Sequence, residues 1–301
     1  MVTPAGHGAP TPGSSGQPAL IAWWRLLRGG NAVFAGLVAA VGAWLIHPAQ
    51  QWPFLVEVAL APLLITAGGN IQNDLCDINI DRINRPDRPL PSGSIPASIA
   101  TGVMWALFLL GLAGAWFLSI WALIIAVTVV LGLSLYNHRV SKTPLYGNIL
   151  IAFMGALPVV YGALASRPQL DTRLFVVLAV SAIAFWLHLA REILKDVLDI
   201  EGDLLAHRRT IPILLGPRAA MRLAAVAMLG GAVTTLWPAL TGWVGPIYLV
   251  GVLCTVVPAL LLGAAQCFWR EDYAIASMWS FALKLSMLAG LVWIILGTVR
   301  S

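Results

Sequence analysis

The chain has 301 residues, 59% of them hydrophobic and 10% charged, with a mean hydropathy of +0.85 and a net charge of +5. A soluble domain carries roughly 25% charged residues, so the composition excludes one and indicates a polytopic, all-α membrane protein. The basic excess is not a nucleic-acid footprint, because Lys and Arg fall between apolar runs rather than on one polar face.

Residues 1–20 are rich in Gly, Pro, Ser and Ala and lack the basic start and apolar core of a signal peptide. That predicts a disordered cytoplasmic tail, followed by a membrane domain over 21–301. Nine runs long enough to cross a bilayer follow, at about 22–46, 53–73, 97–118, 119–137, 145–165, 173–195, 218–239, 243–265 and 274–298. Fourteen Lys and Arg fall on one side of these runs, and three (Arg167, Arg173 and Arg300) on the other. The N-terminus and the loops after spans 2 and 6 are therefore predicted to be cytoplasmic, with the C-terminus outside. Lys284 lies inside the last span, where a cation needs a partner or a path to the interface; a structural partner is expected.

The most informative pattern is a carboxylate spacing that occurs twice. Asp74, Asp77 and Asp81 end span 2, and Asp196, Asp199 and Asp203 repeat the same offsets 122 residues later, at the end of span 6. On a helix, positions i, i+3 and i+7 share a face, so each segment presents a stripe of acid. Nine of the thirteen acidic residues lie in these two stretches, which include Asp87, Glu192 and Glu201. Acid concentrated at a membrane edge marks a site. Gly30-Asn31 and Gly147-Asn148 open spans 1 and 5, and these asparagines precede the triads by 43 and 48 residues. The pattern predicts two four-helix repeats plus a ninth helix around a central cavity, with the site where the repeats meet.

The donor types suggest the chemistry. Asn73, Asp77 and Asp81 recur every four residues, and carboxylate and amide oxygens suit Mg²⁺, which takes few protein ligands and completes its shell with phosphates. Histidines and thiols are missing from both stripes apart from Cys76, so a transition-metal centre fits poorly. Arginines suit phosphate oxygens: Arg82, Arg85 and Arg88 follow the first stripe, while Arg208 and Arg209 follow the second. A third polar patch, Tyr136 to Lys142, places Arg139 and Lys142 between spans 4 and 5, as diphosphate partners or topology signals. His188 is expected to be a hydrogen-bonded interior histidine. A cation transporter or channel with acidic coordination sites remains a competing function from this pattern alone.

At these residues the sequence resembles the UbiA superfamily of intramembrane prenyltransferases. Asn73-Asp74…Asp77…Asp81 is similar to the family's N-D-x-x-D-x-x-x-D, and Asp199…Asp203, preceded by Asp196, to its D-x-x-x-D. The runs Asn84 to Gly93 and Lys195 to Asp203 are similar to the members that make digeranylgeranylglyceryl phosphate. The resemblance implies a transferase that moves a prenyl group, geranylgeranyl in that subgroup, from its diphosphate to geranylgeranylglyceryl phosphate. An aromatic acceptor of the quinone or chlorophyll type is the alternative within the family. It implies Mg²⁺ held by Asn70, Asn73, Asp74, Asp77 and Asp81 and by Asp196, Asp199 and Asp203, with Asp77, Asp81, Asp199 and Asp203 central to catalysis. Arg28, Asn31, Tyr136 and Asn148 become substrate-binding residues. Arg82, Arg139, Lys142 and Lys195 become partners for the diphosphate, and Arg85, Arg88 and Arg209 for a phosphate on the acceptor. Membrane lipids surround the protein, and no nucleic acid is involved.

Overall fold

The computed structural model describes residues 18–166, 173–205, 207–240 and 242–299; most of the expected tail, with Arg167 and Arg300, lies outside them. The described residues form helices joined by short turns: α1 (Ala19–Leu27), α2 (Gly29–Ile46), α3 (Trp52–Cys76), α4 (Ile78–Asn84), α5 (Ala97–Leu118), α6 (Ile120–His138), α7 (Tyr146–Ala165), α8 (Arg173–Leu198), α9 (Ile200–Leu205), α10 (Ile211–Leu215), α11 (Pro217–Thr234), α12 (Trp237–Leu240), α13 (Pro246–Cys254), α14 (Val256–Trp269) and α15 (Tyr273–Val299). Among the described residues, nine helical segments are long and apolar enough to cross a membrane; α11 with α12, and α13 with α14, each make one.

The packing order repeats as the two triads suggested. α2 lies on α3, α3 on α5 and α5 on α6; then α7 lies on α8, α8 on α11 and α11 on α14. The two halves join where α2 packs along α7. Small residues make that seam possible. A Cβ on Gly42 would lie 2.0 Å from the Val159 carbonyl oxygen, and one on Gly162 would lie 1.8 Å from the Ala39 carbonyl oxygen. With lipid tails as apolar as any side chain, close backbone approach of this kind is what holds membrane helices together.

The structure departs from the nine uninterrupted spans in three instructive places. The first span is broken at Arg28, which takes a left-handed conformation at φ 47° and ψ 54° and separates α1 from α2. α1 exposes Leu20, Ile21 and Trp24 and buries Ala22 and Leu26, the habit of an interfacial helix. Gly29 permits the corner, because a Cβ there would sit 2.4 Å from the Trp24 ring. The eighth span breaks at Thr255: Pro258 cannot donate to the Cys254 carbonyl four residues back, and its ring crowds that carbonyl. Third, each acidic stripe bends at its middle aspartate. α3 ends before Asp77 (φ −97°, ψ 5°), and α8 ends before Asp199. The i→i−4 bonds of Asp77, Asp81, Asp199 and Asp203 persist through both bends, so the stripes are kinked rather than lost.

Candidate active site

α4 touches α9, and this brings the two acidic motifs together over one cavity of about 1000 Å³ between the helices. Asn73, Asp77 and Asp81 line its mouth from one side, and Asp196, Asp199 and Asp203 from the other. Below them the walls turn apolar, with Phe34, Val38, Ile125, Val129, Leu187 and Leu288 among the lining side chains.

Arginines cross between the motifs. Arg85, which follows the first motif, donates to Asp199 of the second at 2.6 Å. Arg208, which follows the second, donates to Asp77 of the first and lies 3.5 Å from Asp203 Oδ1. Arg88 reaches back to Asp81 at 2.5 Å and stands 3.6 Å from Asp74. The strained turn at Arg28 aims its guanidinium into the same region, where Nη2 donates to Asp74 at 2.7 Å and to Asn73 at 3.0 Å. Asn70 secures that turn from below through a 2.9 Å bond to the Leu27 carbonyl. Asn148, at the start of α7, donates to Asp196 at 2.8 Å. Thus the asparagine that opens each repeat serves its own half of the site: Asn31 lines the cavity, and Asn148 holds a carboxylate.

Burial sets the electrostatics. It raises the pKa of Asp81 against the lowering pull of Arg88, with Asp74 and Asp77 adding to the rise. Asp203 is pushed up to about 6 by burial, against Arg208, and the charges of Asp199 and Asp77 raise it further. Burial works against the charge of Arg208, but Asp77 and Asp203 outweigh it and raise its pKa. The mouth therefore holds more negative charge than it can comfortably ionise, and its arginines are the only protein cations on these carboxylates among the described residues.

Most of the residues expected from the sequence converge. Arg28, Asn31, Asn70, Asn73, Asp77, Asp81, Arg85, Arg88, Tyr136, Lys195, Asp196, Asp199 and Asp203 all line the cavity. Asp74 stands just behind, buried and paired with Arg28. Arg82 turns to Asn79 on its own helix, and Arg139 and Arg209 are exposed; none of these three lines the cavity. The side chain of Lys142 lies outside the described residues. Three lining residues stand outside the set expected to bind metal or substrate: Arg208, Arg191 and Glu192. Glu192 accepts from Arg191 at 2.7 Å and from Lys195 at 2.6 Å, an i,i+3 pairing visible in the sequence. Arg208 stands out in the sequence only as an arginine after the second stripe; its pairing with Asp77 depends on the fold. His188 lines the cavity against Gly155 and makes no hydrogen bond with a described residue, contrary to expectation.

Among the described residues, no three His, Cys, Asp or Glu side chains form a preformed metal cage. The donor set nonetheless fits Mg²⁺. It is made of oxygen alone, it faces a cavity, and Asp77 and Asp203 already share one cation in Arg208.

The chain matches the UbiA prenyltransferase family over residues 32–293. It is 34% identical over 283 residues to a digeranylgeranylglyceryl phosphate synthase of Saccharolobus solfataricus, covering 93% of this chain and 98% of that one. Among solved structures it resembles one described as giving structural and mechanistic insights into digeranylgeranylglyceryl phosphate synthase in membranes. That match has a TM-score of 0.77 and 27% identity, over 94% of this chain and 99% of the other. A UbiA homolog from Archaeoglobus fulgidus bound to DMAPP and Mg²⁺ shares the fold at a TM-score of 0.64 and 18% identity, over 90% and 98% of the two chains. This chain, with its two facing acidic motifs, belongs to the UbiA prenyltransferase family.

Proposed function

We propose that the protein transfers a geranylgeranyl group from its diphosphate to the free hydroxyl of geranylgeranylglyceryl phosphate, with Mg²⁺, forming a diether lipid phosphate. The observation that carries this is the pair of acidic motifs, cross-linked by Arg85 and Arg208, over a cavity whose lower walls are apolar. The similarity to synthases of that product supports the choice of acceptor.

In the reaction the bond between the allylic carbon and the diphosphate oxygen breaks, and its electron pair leaves with the diphosphate. The acceptor oxygen bonds to the allylic carbon and releases its proton. Asn73, Asp77 and Asp81 on one side, and Asp196, Asp199 and Asp203 on the other, would hold Mg²⁺, which supplies Lewis-acid stabilisation to the departing diphosphate. Arg85 and Arg208 exchange their carboxylate partners for diphosphate oxygens and add fixed positive charge where negative charge grows. Asn148 keeps Asp196 turned toward the cavity. The apolar walls take the isoprenoid tail and exclude water that would trap the allylic cation. The excess of Lys and Arg on the acidic side supports a cytoplasmic site.

The test offers purified protein, Mg²⁺ and one labelled geranylgeranyl diphosphate to geranylgeranylglyceryl phosphate and 4-hydroxybenzoate together. Label in the diether phosphate is the expected result. Label only in the aromatic acid would overturn the acceptor, and metal flux in liposomes without any donor would favour a transporter.

A further inference from the structure

A second group of cations lines the cavity away from the cross-linking arginines. Arg191 and Lys195 on α8 both pair with Glu192, which is buried and has each carboxylate oxygen engaged. Glu192 thereby fixes two cations side by side. The Arg191 Nε is buried and has no hydrogen-bond partner. Facing them from α15 is Lys284, within electrostatic reach of Arg191, Lys195, Glu192 and Arg28. Lys284 is exposed and makes no hydrogen bond or ion pair with any described residue, so the structural partner expected for it is not found. Three cations stand beside one ion-paired carboxylate, Glu192, with Asp196 next along α8 and held by Asn148, so the group carries net positive charge.

The surroundings say from where a ligand arrives. α15 packs along α8 but scarcely touches α2. Phe281, Leu285 and Leu288 of α15 line the cavity and are also exposed, at 63%, 52% and 47%. The cavity is thus open sideways beside α15, at the level of the apolar surface, and Lys284 stands in that opening. By the rise of an α-helix it lies roughly 17 Å along α15 from the end at Tyr273, too deep to serve as an interfacial anchor.

We propose that Arg191, Lys195 and Lys284 form an anion subsite, separate from the diphosphate mouth, that takes the phosphate monoester of a lipid acceptor entering from the bilayer. This rests on the prenyl-transfer function proposed above and names the chemistry by which that site chooses its acceptor. A phosphate monoester carries close to two negative charges near neutral pH and offers three acceptor oxygens to the three cations, whereas an aromatic carboxylate carries one charge and two oxygens. Of the arginines nearer the metal motifs, Arg85 and Arg208 are assigned above to the donor diphosphate, and Arg88 is held by Asp81. Lys195 and Asp196 both line the cavity, so a phosphate held at Lys195 brings the hydroxyl, one carbon beyond the phosphate-bearing carbon, toward the acidic motif.

The experiment measures binding of geranylgeranylglyceryl phosphate, and of its dephosphorylated analogue geranylgeranylglycerol, to purified protein without donor, and then acceptor and donor KM in turnover. Wild type is expected to prefer the phosphorylated lipid, with an affinity that falls as salt rises. Lys284→Gln is expected to lose about tenfold toward the phosphorylated lipid only, the loss of one charge-assisted contact, with donor KM unmoved and Lys284→Arg restoring most of the loss. Equal loss toward both lipids, no loss, or a raised donor KM would overturn the subsite. If wild type shows the phosphate preference but turns over neither acceptor, the subsite stands and the proposed reaction fails.

Discussion

Replacing Arg208 by Gln removes the one cation that Asp77 and Asp203 share. Its side chain is 16% exposed, and those of the two carboxylates are 20% and 8% exposed, so solvent screens the pair weakly. Breaking a buried pair costs about 3–5 kcal/mol, because an uncompensated charge stays behind. Here Asp203 can take up a proton, its pKa already standing at about 6, which relieves part of that cost. About 2–3 kcal/mol should remain, and at about 2–4 °C per kcal/mol for a chain of this size the melting temperature should fall by about 5–10 °C. A divalent cation can restore what the guanidinium supplied. Thermal unfolding of the detergent-solubilised protein with and without Mg²⁺ should therefore show a larger Mg²⁺-induced rise in the variant than in wild type. Equal Mg²⁺ shifts in the two proteins would refute the idea that Arg208 stands in for a metal on these carboxylates.

Gly162→Ala forces a Cβ against the Ala39 carbonyl, so the seam between the repeats should open at a cost of about 3 kcal/mol, read as lost thermal stability and as a shifted elution volume after mild heating. Asn148→Ala leaves Asp196 without its hydrogen-bond donor and should lower turnover by about tenfold while KM for the donor changes little, measured by initial rates. For the metal-free protein, Asp203 ionises near 3.8 in the unfolded chain and near 6 in the folded one. Its contribution to stability is therefore full below about pH 4 and is lost as pH rises toward 6 and above. Thermal midpoints measured across that window should decline in wild type and decline less in Asp203→Asn.

Much of this arrangement could be read from the chain because apolar length and acid concentration are local signals. Nine runs of the right length correspond to nine membrane-length helical segments among the described residues, and the two triads lie at the ends of α3 and α8, at the mouth of the candidate site. Helix breaks were less legible. Arg28 bends the chain where no proline stands, and the glycine that allows it makes sense only once the Trp24 ring is in place. Thr255 had Pro258 as a cue, but a proline inside a membrane helix, as at Pro62 in α3 and Pro158 in α7, often leaves the helix intact. Long-range pairing was not legible at all. Whether an arginine in a loop serves the nearest carboxylate or one 131 residues away is decided by how α4 and α9 meet: Arg208 reaches Asp77, while Arg82 and Arg139, expected as diphosphate partners, stay off the cavity.

The deciding measurement is Mg²⁺-dependent turnover of labelled geranylgeranyl diphosphate with geranylgeranylglyceryl phosphate by wild type, Asp77→Ala and Asp199→Ala in detergent. If the two motifs form one site, each single variant should lose at least about a hundredfold in rate, the scale of removing a preorganised stabilising group. Full Mg²⁺-dependent turnover in either variant would contradict a reaction shared between the motifs.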